Sequence, residues 1–180
     1  TNPAVDVNME TECILPNTVN RTDGLVFTPN GKGLNVSFTL RHFNIPSGIM
    51  GYFGGFTGKY ITDYCKSENY PLVYVETDQI TRVNFFVNDS KDEYKFVNKG
   101  PLISVEKQEE LLKSIKNLSA ITYLTINGSA ANGQTDDFYD RIFHICDKKN
   151  VPVILDISSS QLKSLLKYKV YGNDFTITSS

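Results

Sequence analysis

Residues that hold metals or form disulfides are sparse in this sequence: three cysteines and two histidines among 180 residues. Cys13, Cys65 and Cys146 are odd in number, far apart and in no CxxC pair. That excludes a disulfide framework, and reduced thiols in a cytoplasmic protein are expected. His42 and His144 fall in helix-like stretches, away from any Cys or acidic residue at ligand spacing, so no metal site is expected. An excess of either charge is also missing: 18 Lys and Arg face 20 Asp and Glu, giving a formal net charge of −2 and a pI of 5.7. A general grip on nucleic acid needs a concentrated basic field, so that class is excluded. An anionic partner must instead be held locally, by a few placed cations. There is no apolar run long enough to cross a bilayer and no visible secretory leader, so no membrane attachment is expected.

What is present suits one globular domain with a sizeable core: 40% of residues are hydrophobic and 21% charged. From Val5 to Phe27 short β-type pieces alternate with turn residues. A glycine-bracketed turn over Thr28–Gly33 leads into a helix predicted over Leu34–Phe43. Ser47–Phe53 reads as a buried strand, Lys59–Ser67 as a helix and Leu72–Val75 as a strand. Arg82–Val87 and Glu93–Val97, joined by a turn-rich segment, read as a hairpin. Ser104 with Gln108, one residue off the ideal capping-box spacing, opens a helix over Val105–Asn117. Strand Ile121–Ile126, helix Asp136–Lys148, strand Val151–Leu155 and helix Gln161–Tyr168 follow. This alternation predicts an α/β fold with a mainly parallel sheet covered by helices on both faces. The pieces near Val5–Phe27 and Arg82–Val97 break the rhythm and fit a second, small sheet. Tyr171–Ser180 is polar and reads as a frayed end or a join.

The stretch Asn30-Gly31-Lys32-Gly33-Leu34-Asn35 has the chemistry of an anion site. Glycines before a helix let backbone N–H groups approach a ligand, and the helix N-terminus favours negative charge. Lys32 adds a full positive charge there, and Asn35 can turn its amide back toward it. A phosphate ~4 Å from a surface lysine is attracted by a few kcal/mol at an effective dielectric near 20. A glycine-rich turn carrying a solvated lysine is the alternative. A nucleotide P-loop is excluded, because Gly33 follows Lys32 where a Mg²⁺-holding Ser or Thr is needed.

Several motifs together resemble the ribokinase-like (PfkB) carbohydrate kinase family, in its hexose-phosphate branch of 1-phosphofructokinase and tagatose-6-phosphate kinase. They are Thr1-Asn-Pro-Ala-Val-Asp6, Val19-Asn-Arg-Thr22, Asn30-Gly-Lys-Gly-Leu-Asn-Val-Ser37, Gly51-Tyr-Phe-Gly-Gly-Phe-Thr-Gly58 and Thr81-Arg-Val-Asn84. Asn127-Gly-Ser129 and Asp156-Ile-Ser-Ser159 follow in the same order. The resemblance implies a ribokinase-like α/β domain over residues 1–180, with lid strands near 6–28 and 77–99. It implies ATP-dependent phosphorylation of fructose 1-phosphate to fructose 1,6-bisphosphate, with ATP and Mg²⁺ held largely outside this chain. Tagatose 6-phosphate is the alternative substrate.

In the same terms Asp6 accepts hydrogen bonds from sugar hydroxyls, and Gly31, Gly33 and Asn35 line the sugar. Lys32 and Arg82 lie near its phosphate, with Arg21 as a further phosphate candidate from the lid. Each has a plainer alternative: Asp6 capping a turn, Arg82 paired with Glu76 or Asp78, and Arg21 as a solvated strand charge. The lid's exposed hairpins imply a homodimer. Two departures stand out. Asn30 occupies a position that is usually Gly in the family, and the catalytic Gly-x-Gly-Asp turn is absent, with Gly172-Asn173-Asp174-Phe175 only a faint echo. No catalytic residue is therefore expected in this sequence, which reads as the N-terminal portion of an enzyme or as a binding module without transfer activity.

Overall fold

The structure, a computed structural model, describes residues 2–157 and the backbone of residues 176–178. Strand β1 (Ala4–Glu10) lies in the middle of a four-stranded sheet and is buried over Ala4, Val5, Asp6 and Val7. Four consecutive buried residues mean that both faces of this strand are covered at that end. It pairs antiparallel with β2 (Asp23–Asn30) and parallel with β5 (Arg82–Asn88), and β5 pairs antiparallel with β6 (Glu93–Phe96). The two stretches that broke the helix–strand alternation thus share one sheet. Its register sets Asp6 opposite Thr28 on one side and Asn84 on the other.

Helix α1 (Lys32–His42) starts at Gly31, whose φ of 142° is a conformation that L side chains rarely adopt. A Cβ there would stand 3.2 Å from the Pro3 Cα. Basic Arg41 and His42 in the last turn complement the helix dipole. Strand β3 (Ile49–Gly54), helix α2 (Gly55–Ser67) and strand β4 (Leu72–Thr77) form a βαβ unit with parallel pairing. Helix α2 begins four residues before the predicted Lys59. Its early glycines, which read as a loop in sequence, instead allow tight helix–strand packing: a Cβ at Gly58 would lie 2.8 Å from the Phe53 carbonyl carbon.

Helix α3 (Val105–Asn117), strand β7 (Leu124–Asn127), helix α4 (Phe138–Lys148) and strand β8 (Val153–Asp156) continue the alternation. Strand β9 (Thr176–Thr178) pairs parallel with β8, which corrects the frayed-end reading for those three residues. The predicted helix Gln161–Tyr168 and the Gly172–Phe175 segment lie outside the described residues.

Besides the parallel β1–β5 pair inside the four-stranded sheet, the parallel strands form two separate ladders among the described residues, β3–β4 and β7–β8–β9, where one continuous sheet was predicted. Side-chain packing joins them nonetheless. Tyr52 of β3 and Ile126 of β7 belong to one buried cluster with Leu111, Ile115 and Phe138. The adjacent Phe53 points the other way, into a cluster with Val5, Leu34 and Ile61. Burying a side chain such as Phe138 contributes about 1.5–3 kcal/mol.

Ser104 caps α3 as expected, accepting from the Lys107 N–H at 3.4 Å. Gln108 does not complete a capping box. It is buried, donates to the carbonyls of Ile103 and Gly133, and accepts from the Thr135 N–H at 3.0 Å. A buried amide needs partners, and the segment before α3 supplies one and the loop before α4 two.

Candidate functional site

The central strand β1, its neighbour β5 and the turn into α1 bring their polar residues to one place. Asp6 is buried and accepts hydrogen bonds on both oxygens, from Asn84 Nδ2 at 2.8 Å and from Asn30 Nδ2. It does not cap a turn. A carboxylate withdrawn from water needs such donors. The same Asn30 side chain accepts through Oδ1 from the Gly31 N–H at 2.6 Å and from Asn35 Nδ2 at 2.8 Å. Behind Asp6, Asn84 Oδ1 accepts from the Asn98 N–H at 3.2 Å. The result is a connected amide frame around one acid.

Helix α1 begins beside this frame. The first-turn N–H groups of a helix have no partner within it and carry its partial positive charge. Lys32 Nζ lies 3.3 Å from Asp156 Oδ1, so the lysine reaches the carboxyl end of β8. With side chains 45% and 26% exposed, that pair contributes little stability and its main effect is to fix the lysine's direction. The turn after β7 packs alongside: a Cβ on Gly128 would stand 3.5 Å from the Lys32 Cβ, and one on Gly33 would stand 3.9 Å from Asn127 Nδ2.

Arg82, at the start of β5, is held by the backbone. Its Nη2 donates to the Asn2 carbonyl at 2.9 Å, its Nη1 to the Asn98 carbonyl at 2.9 Å and its Nε to the Pro3 carbonyl at 3.3 Å. It does not pair with Glu76 or Asp78. Burial pushes the guanidinium below its ordinary value and the nearby Asp6 carboxylate partly offsets this; an arginine stays charged regardless. Asn2 also donates to Ser129 Oγ at 3.4 Å. Arg82 is thereby linked through Asn2 to the Asn127–Ser129 turn that packs on Lys32.

Asp6, Gly31 and Asn35 are joined by hydrogen bonds through Asn30, Lys32 and Gly33 follow in the first turn of α1, and Arg82 lies at the start of the neighbouring strand, held by the Asn2, Pro3 and Asn98 carbonyls. Arg21 lies apart from them. It is exposed in the loop between β1 and β2, where its carbonyl accepts from Thr11 Oγ1 at 2.9 Å. In the ladder Glu10 pairs with Asp23 whereas Asp6 pairs with Thr28, so Arg21 stands at the far end of the sheet from Asp6. Four strand residues separate the two ends, roughly 13 Å. Asn84 and Asn2 were not singled out from sequence as site residues, although both lie in the motifs that carried the resemblance. Their signal was adjacency to Arg82 and Pro3.

Three comparisons bear on this geometry. The sequence pattern of the pfkB family of carbohydrate kinases matches residues 2–171. Over 170 residues, 94% of this chain, the sequence is 40% identical to a D-tagatose-1-phosphate kinase of Bacillus licheniformis, of which it covers 56%. It is 31% identical over 170 residues to the 1-phosphofructokinase of Bacillus subtilis, again covering 94% of this chain and 56% of that protein. The crystal structure of phosphofructokinase-2 from Escherichia coli in complex with fructose-6-phosphate superposes with a TM-score of 0.84 at 26% identity, over 92% of this chain and 55% of the other. The chain spans about half the length of the curated relatives it matches.

Proposed function

Because the chain belongs to the pfkB family of carbohydrate kinases and has the ribokinase-like α/β fold, we propose that it is the sugar-binding portion of an ATP-dependent kinase for a ketohexose 1-phosphate. The observation that supports this reading is that buried Asp6 is joined through Asn30 to the α1 N-terminus that carries Lys32, with Arg82 on the strand beside Asp6. A phosphorylated sugar needs that combination: an acceptor for hydroxyl protons beside donors and cations for a dianion. A phosphate on C1 is favoured over one on C6, because both Bacillus relatives are named for 1-phosphates and exceed the Escherichia coli protein in identity. Fructose and tagatose 1-phosphates differ only in the configuration at C4, so they are one substrate class for this site.

In this reading the acceptor hydroxyl bonds to the γ-phosphorus of ATP, the bond to ADP breaks, and the hydroxyl proton passes to a base. Asp6, held by Asn84, orients the sugar, and Lys32 with Arg82 holds the phosphate already on it. The β2-β1-β5-β6 sheet serves as the lid. Its exposed apolar residues, among them Leu25, Phe27 and Phe96, suit a second copy of the protein. ATP is the expected phosphoryl donor, with Mg²⁺. Among the described residues no group of three or more His, Cys, Asp and Glu is placed to hold a metal ion, so none of them is assigned to Mg²⁺.

Titration calorimetry of the full-length protein with fructose 1-phosphate, tagatose 1-phosphate and fructose 6-phosphate tests the reading. Lys32→Ala and Arg82→Ala should each weaken the preferred 1-phosphate about tenfold or more. Unchanged affinity in both variants rejects it. Binding without ATP turnover would point to the rival, a sugar-phosphate-binding module with no transfer activity.

A further inference from the structure

Three groups that the preceding reading gives to the carbohydrate are already tied to one another by a single side chain. Asn30 donates from Nδ2 to Asp6 Oδ2, and its Oδ1 accepts from the Gly31 N–H at 2.6 Å and from Asn35 Nδ2 at 2.8 Å. The orientation of this amide is fixed by chemistry. A backbone N–H can only donate, so the atom facing Gly31 is the oxygen and the NH₂ faces the carboxylate.

One donated and two accepted hydrogen bonds are also what a hydroxyl group makes. Asn30 therefore presents to Asp6, Gly31 and Asn35 the pattern of a sugar hydroxyl. The two sides of Asp6 are unequal. Asn84, which holds the other carboxylate oxygen, is buried in the sheet, whereas Asn30 is half-buried at the last position of β2. The inner bond is architectural. The outer one can open by rotation of a single side chain toward solvent.

Resting on the sugar-phosphate reading, we propose that Asn30 is a specificity-determining residue that stands in for a sugar hydroxyl. In the ligand-free protein its amide keeps the buried carboxylate satisfied, and the incoming hydroxyl displaces it. Binding is then an exchange of one hydrogen-bonded group for another. A ketohexose phosphate whose hydroxyl can take over the bonds of the amide enters. One whose hydroxyl has the wrong configuration leaves Asn30 in place and binds weakly.

The test is calorimetric titration of the full-length protein and its Asn30→Ala and Asn30→Gly variants with fructose 1-phosphate, tagatose 1-phosphate and their 3-deoxy and 4-deoxy analogues. Both variants should bind at least one of the two sugar phosphates about tenfold more tightly than the unaltered protein, the size expected when a hydrogen bond to a charged group no longer has to be broken. The gain should vanish for the analogue that lacks the displacing hydroxyl, a ligand-specific coupling that a merely structural role would not produce. Equal or weaker binding by both variants, while the unaltered protein binds, overturns this inference and leaves the function standing. An unaltered protein that binds neither 1-phosphate overturns both. Loss of folding in both variants also counts against it, since Asn84 is assigned the architectural hold on Asp6.

Discussion

Asn84 and Asp6 occupy partner positions in the parallel β1–β5 ladder, and the Asn84 amide donates to the carboxylate across 2.8 Å. Both are buried. Removing the amide by Asn84→Ala takes one donor from a carboxylate that cannot turn to water. The expected cost is about 2 kcal/mol, read as a lower urea midpoint at unchanged slope. Sugar-phosphate affinity should fall along with it, because Asp6 loses its fixed direction.

Gln108 offers a second test, far from the site. Its side chain joins the Ile103 and Gly133 carbonyls and the Thr135 N–H, so Gln108→Ala strands three backbone groups at once. A loss of about 3 kcal/mol is expected by chemical denaturation. Hydrogen exchange should show the loop before α4 opening more often in the variant, while α1 stays protected.

The thiols report on the core. Burial pushes both Cys65 and Cys146 up to about 11 from an ordinary 9.0; for Cys146 the Lys149 charge acts in the opposite direction. Cys13 is exposed. At pH 8 a disulfide reagent should modify Cys13 alone in the native protein and all three thiols in denaturant. The linkage sign is that of raised acids: the folded chain keeps protons that the unfolded chain releases. The stability these thiols contribute is complete below pH 9 and is lost as pH rises toward 11. Cys65→Ala should flatten that alkaline decline, measured as unfolding free energy against pH.

Local signals carried much of the fold. The glycine turn before Leu34 announced α1, which starts two residues earlier at Lys32; Ser104 marked the start of α3, and the Arg82 to Val97 hairpin was visible from its turn. Gln108 was misread because a glutamine early in a helix resembles a capping partner, and only the long loop folding back shows that it is buried. Of the candidate site, the sequence displayed the residue types around the start of α1. Its connections were not legible, because Asn30 meets Asp6 across 24 residues and Asn84 meets it across 78. Such separations are decided by strand register, which no short window of sequence contains. The glycines of α2 misled for a related reason: their use lies in close approach to Phe53 on β3 and to Ile80 in the loop before β5.

The frame around Asp6 is made of asparagine amides at positions 30, 35 and 84 and the backbone N–H of Asn98, and none of these groups takes up or releases a proton near neutrality. A hydroxyl-reading pocket framed this way keeps its donor and acceptor directions from mildly acidic to mildly alkaline buffer. These amides add nothing to any acidity dependence of ligand affinity near pH 6, where the sugar's own phosphate, with a second pKa of about 6, changes its charge.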